Sequence, residues 1–138
     1  MTNPGRAEDA RIASRLAAAL PGLVAVYRFG STAAGTERAG SDVDLAVLAE
    51  GPVDAGRRFD LQEELATELG RDVDLVDLGR ASTVLAVEVV GRGELLLDAD
   101  PARRGAFEDL ALSSYARLNE ERRAILERVA AEGTVHGR

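Results

Sequence analysis

Apolar residues recur at two periods along the chain, and the alternation between those periods predicts the elements. Ile12, Leu16 and Leu20 fall at helical spacing within residues 7–20, and Pro21-Gly22 supplies a stop. "LVAVYRF", residues 23–29, is a continuous run rich in β-formers that ends at Gly30, which predicts a buried strand. "DVDLAVLA", residues 42–49, alternates and then becomes apolar throughout, as a central strand does when one end reaches a polar site. Asp54 is placed to cap a helix running to about Leu69, with Leu61, Leu65 and Leu69 on one face and Gly70 as its end. "RDVDLVDL", residues 71–78, repeats the acidic alternating pattern of the earlier strand.

Residues 82–90, "STVLAVEVV", are β-branched enough for a strand, yet Ser82 or Thr83 would cap a helix, and a helix is preferred. "ELLLD", residues 94–98, is a short strand. From Pro101 to about Ala131 a long helix is expected, burying a stripe of Phe107, Leu110, Leu118, Ile125 and Val129 and solvating an Arg/Glu face. Helices and strands alternate throughout. The class is therefore α/β or α+β, a mixed sheet of about four strands flanked by helices.

Length bounds the domain count. A chain of 138 residues is expected to form one domain, with a core over about 8–98 and the terminal helix over about 101–131. It is 46% hydrophobic and 30% charged, an ordinary globular composition. With no cysteine, disulfides, thiolate metal sites and cysteine nucleophiles are excluded. All 17 basic residues are arginine, so a Walker A lysine and Schiff-base chemistry are excluded too. The single histidine, His136, lies in a polar tail, which leaves no Ser-His-Asp triad. A net charge of -7 argues against direct nucleic-acid binding, although acidic clusters can be metal-loaded. The absence of a long apolar run or a charged-then-apolar amino terminus makes a cytoplasmic location, with no membrane insertion, the expectation.

Chemistry enters with the acidic strands. Side chains two apart on a strand share a face, with Cα atoms about 6.5 Å apart, so Asp42 and Asp44 project together while Val43, Leu45 and Val47 face the other way. Two carboxylates that close repel unless a cation separates them, and Mg²⁺ is the natural one. Asp72 and Asp74 repeat the arrangement, and up to four carboxylates converge if the two strands are neighbours. The plain alternative is a solvated rim, the reading preferred for Asp98 and Asp100. Gly30-Ser31 changes the balance, because a strand ending in glycine and turning into a short serine-capped helix, "STAA" closed by Gly35, offers N–H groups and a hydroxyl to an anion. The plain alternative there is a tight turn with a helix cap.

Gly30-Ser31, ten residues, then Asp42-Val43-Asp44 resembles the G-S-x10-D-x-D pattern of the DNA polymerase β-like nucleotidyltransferase superfamily. With "SDVDLAV", "VDLVDL" and the tail from Gly93 onward, the chain is most similar to MNT-type minimal nucleotidyltransferases, the antitoxin halves of HEPN/MNT pairs, over about residues 8–128. The resemblance implies a nucleotidyltransferase fold. It implies that Gly30 and Ser31 hold the β/γ-phosphates of ATP, the substrate, and that Asp42 and Asp44 bind Mg²⁺. Asp74 matches the third carboxylate, a metal ligand or general base, in what is expected to be a two-ion site. Many relatives carry arginine after the serine where this chain has Thr32; Arg38 or Arg28 could supply the charge.

The function implied is Mg-dependent transfer of AMP from ATP to a hydroxyl, a tyrosine's, on a cognate HEPN ribonuclease toxin, in a hetero-oligomer with it. The alternative is a non-catalytic antitoxin that binds its toxin stoichiometrically through the helix 101–131, with Phe107 and Tyr115 at the docking surface. A third reading is a homodimeric small-molecule nucleotidyltransferase with a cleft shared between two chains.

Overall fold

The computed structural model describes residues 4–30 and 42–136, with elements in the order α1 (Pro4–Ala19), β1 (Leu23–Phe29), β2 (Val43–Ala49), α2 (Ala55–Leu69), β3 (Val73–Asp77), α3 (Thr83–Arg92), β4 (Glu94–Asp98) and α4 (Pro101–His136). The four strands form one mixed sheet in the order β3-β2-β1-β4. β1 runs antiparallel to both β2 and β4, and β2 pairs parallel with β3. The parallel pair needs a crossover, and α2 provides it.

Local chemistry sets the ends of α2. Asp54 accepts a hydrogen bond from the Arg57 N–H at 2.9 Å, and Gly70 closes the helix at φ 68°, a left-handed conformation that costs glycine little. The ambiguous run is a helix, with the Ser82 hydroxyl accepting from the Leu85 N–H at 3.1 Å. The cap outweighs the β-branched composition. β3 stops at Asp77 and gives way to a 3₁₀ turn over Leu78–Arg80, so it is shorter than its apolar pattern implied.

Helices cover both faces of the sheet. α1 and α2 bury Ile12, Leu16, Leu61 and Leu65 against Val43, Leu45 and Val47, as the alternation in β2 required. On the other face α3 and α4 bring Ala86, Val89 and Ala111 against Tyr27, Phe29, Ala46 and Leu48. The acidic side chains belong to this second face, and so helices are not confined to the side opposite the carboxylates.

The expected burial along α4 does not hold. The helix spans 36 residues, about 54 Å, far more than a sheet of this size can cover. Phe107 is half-buried and Ala111 is buried, but Leu110, Leu118, Ile125 and Val129 are 63%, 40%, 50% and 57% exposed. Its first turns are tied down by polar contacts. The Tyr27 hydroxyl donates to Glu108 at 2.7 Å, and Arg104 donates to Asp98 at 2.8 Å and Glu108 at 3.0 Å. Asp100 accepts from the Arg103 N–H at 3.2 Å. Asp98 and Asp100 therefore anchor α4.

Candidate active site

β1 ends where β2 begins, and at that edge the pairing aligns three residues across three strands. Phe29 is opposite Asp44, and Asp44 is opposite Asp74. Adjacent strands lie about 4.8 Å apart, so the two carboxylates start from neighbouring points on one face. Asp42 stands immediately ahead of β2, exposed, and Asp74 is exposed as well. Asp44 is half-buried beside Phe29 and Ala46, both buried. Its carboxyl titrates above the ordinary range. Burial is the main cause, followed by the charges of Asp74 and then Asp42.

Gly30 leaves β1 at φ 79°, and its Cα lies so close to Asp44 that a Cβ there would overlap the carboxylate. Glycine is required twice over, for the backbone angle and for the approach. The turn and the acidic group are thus in contact. Ser31, Thr32, Gly35, Arg38 and the short "STAA" helix lie outside the described residues.

Two sequence-level readings need correction. Arg28 does not face the phosphate side: it is buried on the α1 face and paired with Glu8 and Asp9. Residue parity on β1 puts it opposite Tyr27 and Phe29. Asp72 borders a different cleft, with Ala66, Thr67, Gly70 and Arg71, so four carboxylates do not gather at one point. Asp77, three positions after Asp74, faces the α2 side, where it accepts from the Val53 N–H at 3.0 Å and the Gly79 N–H at 3.2 Å. Two further groups were missed. Arg58 and Arg80 line a cleft with Asp74, and Arg58 comes from α2, whose proximity only the fold reveals.

A half-buried carboxylate pushed toward its neutral form by two others is short of positive charge, which is the condition a hard divalent cation relieves. Carboxylate oxygens are the donor type that magnesium takes. Among the described residues no group of three acidic or histidine side chains is placed to hold a metal ion.

The family model for "Polymerase beta, Nucleotidyltransferase" matches residues 13–102, the stretch that contains Gly30 and all three carboxylates. The chain belongs to the polymerase β nucleotidyltransferase family. Among nucleotidyltransferases, it is 42% identical over 112 residues to protein adenylyltransferase MntA of Shewanella oneidensis, covering 81% of this chain and 80% of that protein. It superposes at a TM-score of 0.79 on the crystal structure of a toxin–antitoxin with AMP-PNP, at 39% identity, covering 88% of this chain and 98% of that one. It also matches the structure of tri-AMPylated Shewanella oneidensis HEPN toxin in complex with MNT antitoxin, at a TM-score of 0.75 and 36% identity, over 91% of this chain and 98% of that one. Among the described residues no helix of this nucleotidyltransferase is long and apolar enough to cross a membrane.

Proposed function

We propose that the chain is an antitoxin-type protein adenylyltransferase, a single cytoplasmic domain that transfers AMP from ATP to a tyrosine hydroxyl of a cognate HEPN ribonuclease toxin. One observation carries the reading: Asp44 and Asp74 are paired across β2 and β3 with the Gly30 turn against Asp44. The similarity to a protein adenylyltransferase and to an MNT antitoxin bound to an AMPylated HEPN toxin supports the choice of substrate and partner.

In this reading Gly30 and Ser31 hold the β/γ-phosphates. Asp42, Asp44 and Asp74 would hold Mg²⁺, which neutralises the phosphates and the charge developing on the leaving oxygen. The acceptor oxygen forms a bond to the α-phosphorus, the bond to the β-phosphate oxygen breaks, and pyrophosphate leaves. The acceptor proton passes to Asp74, which is exposed at the mouth of the site.

A second reading, neutralisation by stoichiometric binding, is favoured by the uncovered apolar residues of α4. The test incubates the chain with labelled ATP, Mg²⁺ and a HEPN toxin, comparing wild type with Asp42→Asn. Label on the toxin with wild type alone supports the transferase. Equal neutralisation by both versions, with no label on the toxin, would leave only the binding reading.

A further inference from the structure

A cleft of about 340 Å³ opens on the outer edge of β3, bordered by Val53, Arg58, Asp74, Val76, Asp77 and Arg80. It lies on the far side of Asp74 from Asp44, because β3 is the edge strand and β2 occupies the other flank. Its size falls within the roughly 300–1,000 Å³ of small-molecule sites, enough for a nucleotide unit. Its charges are ordered. Asp77 is engaged by two backbone N–H groups, and Arg58 donates to the Leu75 carbonyl at 2.7 Å, capping the open strand edge. Arg80 ends the 3₁₀ turn, largely exposed, its Nε 3.9 Å from Asp77, beyond hydrogen-bond length.

A tyrosine presents no anion before it is modified. Once it carries AMP, the next acceptor is a ribose hydroxyl with a phosphodiester close by, and the related MNT antitoxin is bound to a toxin carrying three AMP units. We propose that the β3-edge cleft is the subsite for an acceptor that already carries AMP, with Arg80, backed by Arg58, binding its phosphodiester. The inference rests on the transferase reading. Each later round repeats the same balance: the ribose oxygen bonds to the α-phosphorus of a new ATP, pyrophosphate leaves, and the hydroxyl proton goes to Asp74.

The experiment follows the one-, two- and three-AMP forms of the toxin by intact-mass spectrometry with the full chain, ATP and Mg²⁺. Arg80→Ala lowers the ratio of second to first addition rates about tenfold, the loss expected for one charge-assisted hydrogen bond, and Arg80→Lys restores most of it. An unchanged ratio in Arg80→Ala and Arg80→Glu overturns the proposal, as does a raised KM for ATP without a change in ratio. A wild-type chain that adds one AMP and stops also overturns it. Calorimetry with a tyrosine peptide already bearing AMP on its phenol, without ATP, reports on the cleft alone. Wild type binds this peptide at least about fivefold more tightly than Arg80→Ala. Equal binding sinks the subsite, whereas a wild type that binds the peptide but never labels the toxin sinks the transferase reading and leaves the cleft.

Discussion

The Cα of Gly30 is packed against the carboxylate of Asp44, in space that any side chain at position 30 would need. Gly30→Ala therefore meets two penalties of different kinds. The left-handed backbone costs roughly 1–2 kcal/mol, while the overlap is relieved by swinging the Asp44 side chain away. Turnover should fall about tenfold or more while the melting temperature drops by only several degrees. Calorimetry beside a labelled-ATP assay checks this, and retained turnover would contradict the contact.

Asp44 makes the free site a liability at neutral pH. Its proton is held more tightly in the folded chain than in the unfolded one, because burial and then Asp74 and Asp42 disfavour the anion. The group thus favours folding below the ordinary carboxylate value and loses that contribution as pH rises through the raised one. In metal-free buffer at pH 7, Asp44→Asn should melt higher than wild type. At pH 3 the difference should vanish. Millimolar Mg²⁺ should raise the wild-type midpoint and leave that of Asp44→Asn nearly unchanged.

The two carboxylates of β3 should separate cleanly by phenotype. Asp77→Ala removes the acceptor for the Val53 and Gly79 N–H groups, and leaving a buried donor unpaired costs about 1–3 kcal/mol. Asp74→Asn touches an exposed side chain, so the fold should keep its melting point while transfer is lost. Thermal melts of the pair decide it: a larger loss of stability from Asp74→Asn would make Asp74 the structural member.

Ile125 and Leu126 are 50% and 60% exposed on the free half of α4. Ile125→Asp with Leu126→Asp should change the stability of the isolated chain by under about 1 kcal/mol, since nothing is uncovered. Co-elution with the toxin should weaken at least about tenfold if this face is its seat. Full retention of the toxin would place the contact elsewhere.

What the chain discloses in advance is what short-range chemistry decides. Asp54 and Gly70 bracket α2 because caps act within a turn, and the Asp-x-Asp alternation of β2 and the acidic repeat in β3 signalled a shared face because strand parity is local. The position of Gly30 was legible for the same reason. Arg28 was misplaced because a cation after an apolar run looks like a site residue until Glu8 and Asp9, contributed by α1, are seen beside it. Periodicity along α4 identified an apolar side and was silent on whether anything lay against it. Arg58 meets Asp74 only through the crossover, and no spacing along the chain encodes that meeting.

The sheet order has a consequence for how such a molecule can diversify. The acidic pair sits on β2 and β3, whereas α4 is moored through Tyr27, Asp98 and Ala111, on the strands at the other side and the helix itself. A different terminal helix could be grafted after residue 98, keeping Glu108 and Arg104 as moorings, and the carboxylates would not register the exchange. Recognition could then drift toward new targets while the chemistry stays where it is.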